Sequence, residues 1–180
     1  MSKNIHSRQV AVDIETTGLD PTEGHRIIAI AAVELIDRCI TGESISYYVN
    51  PPMNIDSEVE AITGISNEFL KNKPPFTEIA GQLVEFLSGA ELLAHNAPFD
   101  INFLNAELGL SGLERVEDIC PNVVDTLQLA RALRPQQNNS LDALCNDYGI
   151  KYESTVRAGV LMDANLVARI YLAISPPHMH

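Results

Sequence analysis

The order of hydrophobic and polar positions near the N-terminus predicts three β-strands. Residues 9 to 15 alternate with a period of two, as a half-buried strand does. Residues 26 to 35 form a long apolar run typical of a buried strand, and residues 44 to 49 suit its hairpin partner, with residues 41 to 43 as the turn. These stretches therefore predict a β-hairpin beside the first strand.

The rest of the chain alternates between helical and strand patterns. An apolar stripe over residues 76 to 87 predicts a helix, residues 91 to 94 a short buried strand, and residues 99 to 108 a helix ending at Gly109. The remaining elements are a strand near residues 123 to 124 and helices over 126 to 133, 140 to 148 (Ser140 as N-cap) and 159 to 173. This order predicts an α/β fold, in which a mixed five-stranded sheet carries helices on both faces.

Length and composition limit the architecture. The 180 residues, 46% of them hydrophobic, suit one domain over residues 1 to 174, and residues 175 to 180 should form a disordered tail. No apolar run reaches the roughly 18 residues of a membrane span, and no secretory signal precedes the first strand, so we expect a cytoplasmic protein without membrane contact. Three scattered cysteines suggest neither disulfides nor a zinc site.

The net charge of −12 counts against a protein that grips long stretches of nucleic acid through phosphates alone, because that mode of binding needs a basic surface. An enzyme that holds only a chain end through metal ions escapes this objection. The alternative is that the charge merely keeps the protein soluble.

Two acidic residues at the end of the first strand are candidate metal ligands. Asp13 and Glu15 lie two apart, so their side chains leave one face of the strand about 6 to 7 Å apart. Neighbouring carboxylates repel one another, and a bound cation would offset this repulsion. Their hard oxygens favour Mg²⁺ or Mn²⁺. The alternative is a strand end that meets water with acids there by chance.

Two further acids strengthen this interpretation. Asp100 falls in the first turn of a predicted helix, and Asp163 follows the apolar residues 160 to 162. A carboxylate in such surroundings is costly to bury unless something pairs with it. The alternative for Asp163 is a capping or salt-bridged residue.

Five motifs along the chain together resemble those of a known protein family. They are Val12-Asp13-Ile14-Glu15-Thr16-Thr17-Gly18-Leu19, Gly24-His25-Arg26-Ile27-Ile28, His95-Asn96-Ala97-Pro98-Phe99-Asp100, Asn139-Ser140-Leu141-Asp142-Ala143-Leu144-Cys145 and Leu161-Met162-Asp163-Ala164. In this order they resemble the four-acid (DEDDh) 3′→5′ exonuclease superfamily, and more closely the proofreading epsilon subunits of bacterial DNA polymerase III. The resemblance covers residues 9 to 173.

The resemblance implies a ribonuclease-H-like fold in which Asp13, Glu15, Asp100 and Asp163 hold two divalent ions, Mg²⁺ or Mn²⁺. It also implies an activity that releases nucleoside 5′-monophosphates from a single-stranded or frayed DNA 3′ end, beside a DNA polymerase catalytic subunit. The implied substrate-binding residues are Thr16, Thr17, Gly18, Leu19, Glu58, Thr63 and Asn96. Leu19 could instead be tucked over the core. Thr63 departs from the closest relatives, which would carry a histidine there.

One family residue is missing. The resemblance places a general-base histidine five residues before the last aspartate, where this chain has Ala158, and alanine has no titratable group. Arg157 cannot replace it, because a guanidinium keeps its proton near neutrality. We therefore expect impaired turnover. The change is either an introduced His-to-Ala substitution, which the intact carboxylates favour, or a natural loss of activity.

Two other functions remain open from the sequence. An RNA-trimming or oligoribonucleotide-degrading relative would use the same carboxylates and differ at the 2′-hydroxyl. A catalytically inactive module that binds DNA or a polymerase would fit Ala158 and the acidic composition.

Overall fold

The protein is described here from a computed structural model, over residues 7–152 and 159–175. Its five-stranded sheet has the order β3-β2-β1-β4-β5. The strands are β1 (Arg8–Thr16), β2 (Ile27–Ile36), β3 (Cys39–Tyr48), β4 (Glu91–Ala94) and β5 (Asn122–Asp125). Because β1, β2 and β3 pair antiparallel while β4 runs parallel to both β1 and β5, the sheet is mixed. The predicted α/β class is confirmed.

Helices cover both faces of the sheet, also as predicted. They are α1 (Ser57–Thr63), α2 (Asn67–Leu70), α3 (Phe76–Leu87), α4 (Ala97–Leu110), α5 (Val116–Ile119), α6 (Thr126–Leu133), α7 (Leu141–Asp147) and α8 (Val160–Ile174). On one face, Leu83 of α3 and Phe103 of α4 share a buried core with Val12 of β1. On the other face, Val167 of α8 packs in a second core with Ala11.

The alternation along β1 decides where its acids point. Val10, Val12 and Ile14 enter the core under α3 and α4, whereas Ala11 enters the core under α8. Side chains two apart on a strand share a face, so Asp13 and Glu15 lie on the α8 face. In addition, Ala11 pairs with Leu93 near the end of β4. The two acids therefore lie beyond the carboxyl end of β4, at the edge of the sheet.

The predicted hairpin turn at residues 41 to 43 is wrong. The turn lies at Asp37 and Arg38, whose φ angles are 49° and 64°, and Ile36 pairs with Cys39 directly across it. Two-residue turns with both φ angles positive match the twist of the strands that they join. Residues 41 to 43 instead form an irregularity inside β3, where Gly42 has a φ of 94°.

Other element boundaries also differ from the predictions. Helices α1 and α2 were not predicted, and α4 continues through Gly109 to Leu110. Ser175, placed at the start of the tail, is buried and accepts a hydrogen bond from Arg38 Nη1 at 2.8 Å. The later tail residues lie outside the described ranges, so the single-domain boundary stays a prediction. Within those ranges, no helix is both long and apolar enough to cross a membrane.

Candidate active site

Three elements bring four carboxylates to one edge of the sheet. β1 carries Asp13 and Glu15, while the first turns of α4 and α8 carry Asp100 and Asp163. A cavity of about 560 Å³ opens here. Its lining includes Asp13, Glu15, His95, Asp142, Tyr152 and Asp163. The acids singled out from the sequence are thus close in space, although more than 80 residues separate Glu15 from Asp100.

The surroundings of Asp13 disfavour the ionised form of its carboxyl. Burial raises the pKa of the Asp13 carboxyl well above its ordinary value, and the negative charges of Asp100, Asp163 and Glu15 raise it further. Like charges can act in this way only when they are near neighbours. Asp13 therefore lies at the centre of the acidic cluster.

Asp100 is the most buried of the four acids, with 5% of its surface exposed. Burial is the main reason that its pKa rises to about 8, and the charge of Asp125 adds to the rise. Hydrogen bonding to its own backbone acts in the opposite direction. Without a counter-ion, much of Asp100 would be protonated near neutral pH.

The chemistry of the cluster fits hard divalent cations. Carboxylate oxygens are the ligands that Mg²⁺ and Mn²⁺ prefer, and a cation would relieve the repulsion around Asp13. Within residues 7–152 and 159–175, however, no three His, Cys, Asp or Glu side chains already converge on a common ligating point. The acids are thus gathered at one edge, and binding an ion would require their side chains to adjust.

Asp125 is a fifth acid at this edge that the sequence analysis missed. Its Oδ1 accepts a hydrogen bond from the backbone N–H of Asn96 at 3.1 Å and caps α6 by accepting from Leu127 N at 2.9 Å and Gln128 N at 3.3 Å. Asn96 has a φ of 78°, in the left-handed region. Asp125 thereby fixes the turn that leads into the Asp100 helix. Its position just before a predicted helix was the signal that could have identified it.

His95 lines the cavity, but both of its ring nitrogens are engaged. Nε2 lies 2.9 Å from the carbonyl oxygen of Asn139, and Nδ1 lies 2.9 Å from Thr126 Oγ1. A carbonyl only accepts, so Nε2 must carry a proton and donate. Burial lowers the pKa of His95. The ring is therefore neutral and holds the turn before α7 against β4.

Tyr152 and Asp142 form a second feature that the sequence analysis missed. Tyr152 Oη donates to Asp142 Oδ1 at 2.6 Å on the wall of the same cavity. This hydrogen bond is the main cause that raises the pKa of Tyr152 to about 12, with burial and the charges of Asp142, Cys145 and Asp163 contributing. The phenol consequently keeps its proton at neutral pH.

Hydrogen bonds and close packing with the residues before β2 hold the turn after β1 in place. Thr17 N donates to Arg26 O at 2.8 Å, and Arg26 N donates to Thr17 Oγ1 at 2.9 Å. The His25 ring packs so closely on Gly18 that a Cβ atom there would lie 2.3 Å from the ring. Leu19, at the tip, is 84% exposed, so it is not tucked over the core. The turn offers a fixed backbone and one free apolar side chain.

The other predicted substrate-binding residues differ in position and exposure. Thr63 lies with Glu15 and Asp163 around a second cavity, next to the first. Asn96 is exposed at the start of α4, and Glu58 is exposed in the first turn of α1. Ala158, the predicted position of the missing base, lies outside the described residues.

The chain belongs to the exonuclease family, because the model of that family, described as "Exonuclease", matches residues 10–171. It is also similar to the DNA polymerase III epsilon subunits. The subunit of Rickettsia felis is 41% identical over 169 residues, which are 93% of this chain and 74% of the relative. The subunit of Pasteurella multocida is 42% identical over 176 residues, covering 96% and 70%. The resemblance inferred from the motifs is confirmed.

Solved structures of exonucleases share the fold. The nuclease domain of 3′hExo, a DEDDh family member bound to rAMP, superposes with a TM-score of 0.77 at 19% identity, over 95% of this chain and 92% of that one. Exonuclease X in complex with 5′ overhanging duplex DNA gives 0.70 at 26% identity, over 92% and 90%. Exonuclease I gives 0.79 at 17% identity, and this chain spans only 40% of its length. The predicted ribonuclease-H-like exonuclease fold is confirmed.

Proposed function

We propose that the protein is a metal-dependent 3′→5′ exonuclease that releases nucleoside 5′-monophosphates from DNA 3′ ends. The observation that carries this proposal is that β1, α4 and α8 bring four carboxylates to one edge of the sheet. Burial, and then the charges of Asp100, Asp163 and Glu15, raise the pKa of Asp13 there. Asp13, Glu15, Asp100 and Asp163 would hold two divalent ions, Mg²⁺ or Mn²⁺. Bound there, such ions supply an activated water and charge stabilisation for the leaving oxygen.

The chain's own residues position the substrate. The turn over Thr16, Thr17 and Gly18 presents backbone close to the site, and the exposed side chain of Leu19 offers an apolar surface to a base. Asn96, Glu58 and Thr63 complete the proposed nucleotide pocket. The two hydrogen bonds between Thr17 and Arg26 keep the turn in place, so little ordering would be needed when the nucleotide binds.

The proposed enzyme turns over slowly because Ala158 stands at the base position. His95 and Tyr152, which line the cavity, are not suited to replace the histidine. Both nitrogens of His95 are hydrogen-bonded, and Tyr152 keeps its proton. Loss of general-base help typically costs about 10² to 10⁴ in rate.

The proposed substrate is the 3′ end of DNA, and the proposed partner is the catalytic subunit of a replicative DNA polymerase in the cytoplasm. The similarity to the epsilon subunits supports the partner. Exonuclease X, solved with 5′ overhanging duplex DNA, supports the substrate. Together with a polymerase, such an exonuclease would remove mispaired 3′ ends.

A gel assay tests the proposal. The protein as it stands and the Ala158→His variant are incubated with a labelled primer whose 3′ end is paired or mispaired, with and without Mg²⁺. We expect the variant to shorten the primer one nucleotide at a time, faster from the mispaired end and only with the metal. A variant that leaves every primer intact would contradict the nuclease proposal and favour the inactive binding module.

An RNA substrate is the second candidate, because the 3′hExo nuclease domain was solved with rAMP. Matched single-stranded DNA and RNA oligomers distinguish the two. We expect the Ala158→His variant to degrade the DNA oligomer faster. Faster loss of the RNA oligomer would replace the DNA assignment.

A further inference from the structure

A second cavity adjoins the carboxylate cluster on the side of β3, α1 and α2. Its volume is about 360 Å³, and Glu15 and Asp163 line it as well as the first cavity. Ile65, Phe69 and Val160 give it apolar walls. The acids therefore stand between two cavities.

Tyr48 is the residue of β3 that lines this second cavity. Its ring packs edge-on against Phe69, with the ring centroids 4.9 Å apart and an interplanar angle of 89°. The preceding residue on the strand, Tyr47, faces the other way and donates its hydroxyl to Gln82 Oε1 at 2.8 Å. In residues 7–152 and 159–175, by contrast, we find no hydrogen-bond partner for the Tyr48 hydroxyl.

Gly159 marks where the Tyr48 hydroxyl lies. A Cβ atom on Gly159 would be 2.6 Å from Tyr48 Oη, so the hydroxyl occupies the space of the missing side chain. Gly159 has φ 71° and ψ 174°, a backbone conformation that only glycine adopts readily. Gly159 is the N-cap of α8, whose first turn carries Asp163. The ring packing and the close approach together fix the position of the Tyr48 hydroxyl in the cavity that Glu15 and Asp163 also line.

We propose that Tyr48 is a substrate-binding residue, whose hydroxyl donates a hydrogen bond to a phosphate oxygen of the terminal nucleotide. This inference rests on the proposed exonuclease function. The oxygens of Glu15 and Asp163, which line the same cavity, would be taken up by the proposed divalent ions, so the phenol proton would be donated to an acceptor on the ligand. A phosphate drawn to the cluster by divalent ions brings such an acceptor.

The test compares two variants that each lose one hydroxyl from the same strand. Tyr48→Phe keeps the ring and its packing on Phe69, and Tyr47→Phe is the matched control. Binding of Mn²⁺ alone, and then of thymidine 5′-monophosphate with Mn²⁺ present, is measured by calorimetry. We expect Tyr48→Phe to weaken nucleotide binding by roughly tenfold or more, because the lost hydrogen bond is to a charged group. Tyr47→Phe should bind as the unaltered protein does.

Each outcome bears on a separate claim. If the unaltered protein binds no nucleotide with Mn²⁺, the proposed function fails. If it binds the nucleotide and Tyr48→Phe binds it equally well, the role of Tyr48 fails. Loss of Mn²⁺ binding in Tyr48→Phe would also overturn that role, because the residue would then act through the carboxylates. Thymidine, which lacks the phosphate, should bind both proteins alike, and a selective loss with Tyr48→Phe would assign the hydroxyl to the sugar or base.

Discussion

The guanidinium of Arg26 and the carboxylate of Glu107 form a bidentate ion pair in the wall behind the candidate site. Nε donates to Oε1 at 2.8 Å and Nη2 donates to Oε2 at 2.6 Å, while the Glu107 side chain is only 2% exposed. The backbone of Arg26 also holds Thr17. Because Glu107 lies on α4, one residue joins the substrate turn to the helix that carries Asp100.

Replacing one partner of this ion pair should destabilise the protein strongly. Arg26→Met leaves the Glu107 carboxylate buried without its cation, which typically costs about 3 to 5 kcal/mol. Urea denaturation measures the change. The exposed pair of Arg115 and Glu117, 3.3 Å apart, supplies the control, since Arg115→Met should cost no more than about 1 kcal/mol. Equal costs for the two variants would contradict the structural importance assigned to Arg26.

The raised pKa of Asp100 should make the metal-free protein less stable as the pH rises. The folded protein holds this proton more tightly than the unfolded chain, since the pKa rises from 3.8 to about 8 on folding. The free energy of unfolding should therefore fall between about pH 4 and pH 8, by up to about 1.4 kcal/mol for each pH unit. Asp100→Asn should flatten this dependence and, in the Ala158→His background, abolish primer degradation.

Urea denaturation in a chelating buffer at several pH values checks the expectation for Asp100. Mn²⁺ at pH 8 should restore the stability of the unaltered protein, because a ligand that binds only the folded state stabilises it. The same ion should have little effect on Asp100→Asn. A metal-free protein that gains stability over this pH range would contradict the assignment.

The hydrogen bonds of Asp125 predict that two variants of this residue lose stability to different extents. Asp125→Ala removes the acceptor for Asn96 N and the cap of α6, which should cost about 1 to 2 kcal/mol of stability. Asp125→Asn keeps an oxygen acceptor and should cost less. Thermal denaturation ranks the variants, and primer degradation in the Ala158→His background should fall most with Asp125→Ala. Full stability and activity of Asp125→Ala would show that the turn does not depend on Asp125.

The close packing of His25 on Gly18 predicts that this turn does not tolerate a side chain. In Gly18→Ala the new methyl group would meet the His25 ring, so the ring and the Thr17 turn must shift. We expect weaker binding of thymidine 5′-monophosphate in the presence of Mn²⁺. Gly81 on α3 is the control, because nothing lies within 4 Å of its added Cβ and Gly81→Ala should leave binding unchanged. Unaltered nucleotide binding by Gly18→Ala would separate this turn from the substrate pocket.

The strands and the acidic pair on β1 could be predicted because their signal is local. Alternation alone places Asp13 and Glu15 on one face, and the structure retains that alternation. The hairpin turn could not be read in the same way. Gly42 suggested a turn at residues 41 to 43, whereas the turn falls at Asp37 and Arg38, which both have positive φ angles. A glycine can serve an irregularity inside a strand equally well.

The supporting contacts of the site were missed because they join distant parts of the chain. Arg26 pairs with Glu107 across 81 residues, and Asp125 reaches Asn96 across 29. Neither partner has a local pattern that names the other. Helix α1 was missed for another reason, since it is short, has no side-chain cap hydrogen bond and buries no residue fully.

Binding of Mn²⁺ tests the central claim most directly. Isothermal calorimetry on the protein as it stands, which needs no turnover, should give two ions per chain, because Asp13, Glu15, Asp100 and Asp163 are proposed to hold them together. Asp13→Ala should abolish that binding, since Asp13 lies at the centre of the cluster. Absence of saturable binding to the unaltered protein, or equal binding to Asp13→Ala, would contradict the account.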